Sequence, residues 1–100
     1  MEMTIQDGQA RVAAIMKGSF DTLSAEQLEP QVQELESMAS KPLELDCTAL
    51  DYIASSGLRI LLRLRKAYAA KGQQVSLLNV NEQIMEVLKV THFDNMFQIK

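Results

Sequence analysis

The sequence has few of the residues on which several classes of protein depend. A single cysteine, Cys47, cannot form an internal disulfide, which fits a reducing cytosol. Four isolated glycines form no phosphate-binding loop, and no cysteines and histidines cluster with the spacing of a zinc site. No run approaches the roughly 18 apolar residues of a membrane span, and the N-terminus lacks the features of a signal peptide. We therefore expect a cytoplasmic protein that needs no cofactor.

Positive charge is also scarce. Ten lysines and arginines stand against 13 aspartates and glutamates, which gives a net charge of −3. This balance argues against general nucleic-acid binding. A chain of 100 residues suffices for one hydrophobic core, so we expect a single domain over residues 1–100. Cys47 falls in phase with Leu43 and Leu45, which predicts a small core residue and not a reactive thiol.

Hydrophobic periodicity, turn signals and helix caps predict an α/β domain. The predicted elements are, in order, strands at Met3–Gln6 and Gln9–Lys17, a helix opened by Ser24, a strand at Leu43–Cys47, a helix from about Ser56 to Lys71, a strand at Val75–Leu78, a helix capped by Asn81 and a short terminal strand. The first two strands form a hairpin, and the later strand–helix–strand units require parallel pairing. The predicted fold is a mixed four- to five-stranded sheet with helices packed mainly on one face.

The first helix carries two start signals. Ser24 and Gln27 match a capping box, with Leu23 and Leu28 at the hydrophobic-staple positions. Pro30 predicts either a bend in this helix or a helix whose regular part begins there.

The most informative segment is Ser55-Ser56-Gly57, which opens the helix after the third predicted strand. Unpaired N–H groups and the helix dipole favour an anion at such a position. The second and third strands should end at the same edge, which brings Asp21 and Ser55 onto one surface. Ser55 is then either a simple helix cap or the site of a phosphorylation switch, and the residues alone leave both open.

Basic residues follow on the same helix. Arg59, Arg63 and Lys66 recur at spacings of four and three, which places them on one helix face. This stripe is either a solvated face or a docking surface for an acidic partner, and Arg59 lies one turn after Ser55, within reach of a phosphate there. Catalysis is not expected, because the G-x-S-x-G motif is absent and the only histidine, His92, lies in a C-terminal segment that we interpret as a loop.

The segment Tyr52–Leu62 resembles the signature of the STAS domain, which occurs in bacterial anti-sigma factor antagonists. The order of elements agrees over almost the whole chain, as do Gly18–Asp21, Val75–Val80 and Val87–Thr91. The resemblance implies a protein that works by partner switching. The unphosphorylated form binds an anti-sigma factor that is also a serine kinase, which frees the sigma factor for transcription. The kinase then uses ATP to phosphorylate the antagonist, and a phosphatase resets the cycle.

Carried over by position, the phosphoacceptor is Ser55, with Ser56 as its neighbour and Asp21 as an acidic residue of the binding surface. We expect Arg59 and Arg63 to contribute to that surface. Ala54 stands where the family motif has aspartate before the first serine. Two alternatives therefore stay open: a cytosolic STAS accessory subunit of a membrane lipid or anion transporter, which needs no phosphorylation, and a small-ligand sensor.

Overall fold

The fold is built on one sheet whose five strands lie in chain order. A computed structural model describes residues 1–100. The strands are β1 (Glu2–Asp7), β2 (Val12–Phe20), β3 (Leu43–Ile53), β4 (Val75–Leu78) and β5 (Gln98–Ile99). β1 pairs with β2 antiparallel, and all other neighbours pair parallel. The prediction of a mixed sheet that starts with a hairpin is confirmed.

The connections between the strands are helical. The helices are α1 (Thr22–Gln27), α2 (Glu29–Ser37), α3 (Ser55–Ala69) and α4 (Glu82–Val90), followed by a 3₁₀ turn at Phe93–Asn95. The parallel strands are added in one direction, so right-handed crossovers bring their helices to the same face. Burial along β2 agrees, since Val12, Ala14 and Met16 are buried and the alternate residues Ala13 and Ile15 are only partly covered. The predicted one-sided arrangement is confirmed.

The core lies between the sheet and these helices. Cys47 is 2% exposed, and its burial raises the pKa of the thiol to about 12, as expected for the predicted core residue. Tyr68 of α3 is fully buried, and its hydroxyl donates a 2.7 Å hydrogen bond to the carbonyl oxygen of Leu35 in α2. Burial also raises the pKa of the Tyr68 phenol to about 12. This bond ties the two helices together inside the core.

Two strands end later in the chain than predicted. β2 continues past Lys17 to Phe20, and β3 continues past Cys47 to Ile53. β2 does not end at Lys17, because Gly18 adopts a φ of +106° and the β2–β3 ladder shifts register there and continues. The predicted end of β3 at Cys47 is wrong for a related reason: β3 goes on pairing with β2 as far as Phe20 and Ile53.

The start of α1 also differs from the prediction. Asp21, not Ser24, caps this helix, because its carboxylate accepts a 2.9 Å hydrogen bond from the backbone N–H of Ser24. The Ser24 hydroxyl is buried and donates instead to the carbonyl oxygen of Ser19 at 2.8 Å. Leu23 is 62% exposed, so the predicted hydrophobic staple is wrong. Pro30 lies in the first turn of the separate helix α2, which confirms the second of the two predicted outcomes.

Local signals placed the other helix ends well. Gly72 follows α3 with a φ of +72°, the left-handed conformation expected of a glycine stop. Asn81 caps α4 by accepting a 2.8 Å hydrogen bond from the backbone N–H of Ile84. His92 lies between α4 and the 3₁₀ turn and is exposed, as expected of a loop residue.

Candidate functional site

The carboxyl ends of β2 and β3 lie side by side, as predicted. The backbone N–H of Ala54 donates a 2.9 Å hydrogen bond to the carbonyl oxygen of Phe20. The Ser19 hydroxyl donates to the carboxylate of Asp51, also at 2.9 Å. These bonds join the segment before α1 to the segment before α3, so Asp21 and Ser55 follow at the same edge of the sheet.

Gly57 allows α3 to approach this edge closely. A Cβ atom at this position would lie 2.9 Å from Cγ1 of Ile53, from Cγ of Phe20 and from the carbonyl oxygen of Phe20. Real Cβ atoms do not approach other heavy atoms so closely, and the Phe20 oxygen belongs to the backbone and cannot swing away. The glycine of the Ser-Ser-Gly segment therefore sets the position of the helix start.

The two serines differ in their surroundings. Ala54 is the N-cap of α3 and supplies no side-chain hydrogen bond, so neither serine acts as the helix cap. Ser55 is exposed, and its hydroxyl makes no hydrogen bond within the chain. Ser56 is half-buried, and its Oγ lies 3.2 Å from Oγ1 of Thr22 in α1. The first N–H groups of α3 have no intrahelical acceptor, so the free hydroxyl of Ser55 stands at a positive helix end.

Asp21 is the N-cap of α1 and places a negative charge at this edge of the sheet. Its hydrogen bond from the backbone N–H of Ser24 holds the pKa of the carboxyl below its usual value. Asp21 is therefore ionised at neutral pH, and its role as helix cap fixes the direction of the carboxylate. The structure thus brings together Asp21, Thr22, Ser55 and Ser56 at the junction of α1 and α3.

The predicted basic stripe is not a row of three free cations. The guanidinium of Arg63 donates to both carboxylate oxygens of Glu29, at 2.6 and 2.7 Å, and to both of Glu36, at 2.7 and 3.0 Å. These bonds raise the pKa of Arg63 and lower that of Glu29. Arg59 and Lys66 are exposed and take part in no ion pair. Arg63 ties α3 to both ends of α2, and the two free charges lie on either side of it.

Two exposed apolar side chains at this edge were missed by the sequence analysis. Leu23 is 62% exposed and Tyr52 is 54% exposed. Leu23 follows Thr22, which contacts Ser56, and Tyr52 precedes Ser55 by three residues. Exposed apolar side chains beside a functional group are typical of protein–protein contacts. The sequence alone does not show whether a leucine beside a helix start is buried in a hydrophobic staple or exposed for contact with a partner.

No three or more histidine, cysteine, aspartate or glutamate side chains are grouped as ligands for a metal ion. None of the helices has the length and apolar character needed to cross a membrane.

The chain is thus a small α/β domain with a mixed sheet and an exposed serine at the start of a glycine-anchored helix. The STAS domain model matches residues 3–100, and the chain belongs to the STAS domain family. It is 26% identical over 99 residues to BtrV of Bordetella bronchiseptica, which is provisionally named an anti-sigma factor antagonist. That alignment covers 99% of this chain and 85% of BtrV.

Solved structures show the same fold. An anti-sigma factor antagonist of Mycobacterium paratuberculosis has a TM-score of 0.84 at 19% identity, with 98% of this chain and 83% of that chain covered. The unphosphorylated form of SpoIIAA, a Bacillus cell fate determinant and anti-sigma factor antagonist, has a TM-score of 0.75 at 17% identity over 99% of this chain and 87% of its own. Its phosphorylated form has a TM-score of 0.74 at 15% identity over 99% and 91%. The architecture of SpoIIAA therefore resembles that of this chain to the same extent in both states.

Proposed function

We propose that this STAS domain is a cytoplasmic anti-sigma factor antagonist without catalytic activity of its own. It binds an anti-sigma factor that is a serine kinase, and phosphorylation of Ser55 ends the contact. The observation that supports the proposal most is the exposed, unbonded hydroxyl of Ser55 at an uncapped helix start. The similarity to proteins named as anti-sigma factor antagonists supports the same class of partner.

The chemistry of the switch belongs to the kinase. The Ser55 oxygen forms a bond to the γ-phosphorus of ATP held by the kinase, and the bond from that phosphorus to the β–γ bridging oxygen breaks. ADP leaves, and the hydroxyl proton passes to a base of the kinase. The product carries about −1.5 to −2 charge, which a helix N-terminus accepts. Modification thus changes the surface without requiring a change of fold, and a phosphatase would restore the hydroxyl.

The proposed partner surface combines polar and apolar groups at one edge. Asp21, Ser55, Ser56 and Arg59 provide its charges and hydroxyls, and Leu23 and Tyr52 provide exposed apolar area. Apolar anchors supply most of the binding free energy in such contacts, and a neighbouring dianion disrupts them because it must be desolvated. Arg63 contributes through its bonds to Glu29 and Glu36, which hold α2 against α3 behind this surface.

A second candidate function rests on Ala54. The side chain of this residue offers no carboxylate to a kinase and makes no hydrogen bond at the helix start. An accessory subunit that docks on the ATPase of a membrane lipid or anion transporter needs no phosphorylation, and the same exposed edge would serve as its contact. The two functions therefore differ in whether a charge at Ser55 controls binding.

The test is affinity capture from the native host with wild-type, Ser55→Asp and Ser40→Asp baits. Ser40 is exposed and precedes β3, at the opposite end of the sheet from Ser55, so it controls for the added charge. We expect a serine kinase on the wild-type and Ser40→Asp baits and at least tenfold less on Ser55→Asp, because an unpaired charge in a desolvated contact costs roughly 2–5 kcal/mol. Thermal unfolding of Ser55→Asp should stay near that of wild type.

Each outcome separates the two functions. Phosphate on Ser55 of the recovered wild-type bait, found by mass spectrometry, would complete the case for the kinase. Equal capture of that kinase by all three baits would refute the switch. A transporter ATPase held equally by all three, with Ser55 unmodified, would establish the second candidate.

A further inference from the structure

Arg59 is the unpaired cation of α3 closest in sequence to Ser55. Its side chain is exposed and enters none of the ion pairs of the chain. The next cation on this face, Arg63, is held by two bonds to Glu29 and two to Glu36. Only Arg59 is therefore both near the helix start and free to move.

The helix geometry directs Arg59 toward Ser55. Residues four apart on a helix are neighbours, with Cβ atoms about 5–6 Å from each other. Side chains on a helix lean toward its N-terminus, so the guanidinium of Arg59 can reach the turn that begins at Ser55. A phosphoryl group on the Ser55 oxygen would enter the same space.

The start of α3 keeps hydrogen-bond donors that an anion on Ser55 could use. Ala54 provides no capping side chain, so the first N–H groups of α3 keep their capacity to donate. The groove between α1 and α3 is lined by Thr22, Ser56, Arg59 and Arg63 together with the carboxylates of Glu26 and Glu29. The charged groups that line this groove are Glu26, Glu29, Arg59 and Arg63, and Asp21 caps α1 next to Thr22. Glu26 enters no ion pair. Of the two cations, Arg63 is held by Glu29 and Glu36, so Arg59 is the cation left to balance a phosphate.

We propose that a phosphoryl group on Ser55 binds the guanidinium of Arg59 in the same chain. Phosphorylation then acts twice on the partner surface, because it adds an anion and also removes the one mobile cation. This inference rests on the proposed phosphorylation of Ser55 and specifies how that modification releases the partner. In the unmodified chain Arg59 is free to meet an acidic group of the kinase.

The first test measures the phosphate itself. Phosphoserine is placed at position 55 by genetic encoding, in the full chain, with Arg59→Gln and Lys71→Gln as variants. Lys71 is exposed beyond the far end of α3 and forms no ion pair, so its loss changes the net charge equally. A ³¹P NMR titration gives the second pKa of the phosphate. We expect Arg59→Gln to raise this pKa by about 0.3–0.5 unit and Lys71→Gln to leave it unchanged. The same pKa in both variants would overturn the proposal.

The second test uses the unmodified chain and the kinase. Arg59→Gln should weaken kinase binding several-fold relative to Lys71→Gln. Equal affinities of the two variants would show that Arg59 takes no part in the contact with the kinase. The first test needs no kinase, so its failure is distinct from failure of the proposed function. If a kinase phosphorylates Ser55 but Arg59→Gln does not change the second pKa of the phosphate, the proposed function is supported and the inference about Arg59 is refuted.

Discussion

Replacing Gly57 by alanine tests the contact that positions the candidate site. The new methyl group would lie 2.9 Å from two side-chain carbons and from the carbonyl oxygen of Phe20. Carbon atoms pack best at about 3.5–4.0 Å, so the overlap is of the order of 0.6–1 Å. The side chains of Ile53 and Phe20 can shift a little, but the carbonyl oxygen is part of the β2–β3 edge. The start of α3 must therefore move outward.

The expected magnitude follows from two opposing effects. Overpacking of this kind costs typically about 1–3 kcal/mol. Alanine is preferred over glycine inside a helix by up to about 1 kcal/mol, which offsets part of that cost. We expect Gly57→Ala to lower the free energy of unfolding by about 1–2 kcal/mol. For a domain of this size, that corresponds to a fall of roughly 5–15 °C in Tm.

Urea denaturation followed by circular dichroism measures the free energy of unfolding, and thermal scans give Tm. Ala69→Gly is the matched control, because Ala69 is exposed at the other end of α3 and reports the helix preference alone. It should lose up to about 1 kcal/mol. If Gly57→Ala were as stable as wild type or more stable, helix preference would outweigh packing and the argument for a close approach would fail.

Two further predictions concern the helix start and the clamp around Arg63. Ala54→Asp should raise the free energy of unfolding by about 0.5–2 kcal/mol, because a carboxylate at the N-cap can accept hydrogen bonds from the free N–H groups of α3. Urea denaturation at pH 7 measures this free energy, and a value no higher than that of wild type would contradict the prediction. Glu29→Gln should lower Tm more at pH 7 than at pH 3. Hydrogen bonds from Arg63 lower the pKa of Glu29 in the folded chain, so its contribution is present above the ordinary pKa of 4.5 and is lost as pH falls through the folded value. A difference in Tm between the two proteins that stays constant from pH 7 to pH 3 would contradict this.

Features set by neighbours in sequence were predictable. Gly72 ends α3 and Asn81 caps α4 because glycine tolerates a positive φ and an asparagine side chain can accept from a helix N–H. The sheet order followed from strand–helix–strand units, which admit few topologies. The meeting of Asp21 and Ser55 at one edge then followed from that topology, without knowledge of any contact.

Features set by distant partners were not predictable. Arg59 and Arg63 occupy equivalent positions in the helical pattern, and only contacts with residues 27 and 34 positions away in sequence distinguish them. Similarly, Ser24 has the residue type of a helix cap, but its hydroxyl bonds to the β2 carbonyl of Ser19 and leaves the cap to Asp21. Spacing alone shows which residues share a face of a helix. It does not show which of them already have a partner.

Ala54 connects these observations to the proposed switch. An aspartate at the N-cap of α3 would satisfy N–H groups of the helix in the unmodified protein. With alanine there, those groups stay unpaired until an anion arrives at Ser55. In the proposed cycle, the missing carboxylate therefore has opposite effects on the two steps. It removes a feature by which a kinase could recognise Ser55, but it leaves the helix start and Arg59 available to hold the phosphate once it is attached.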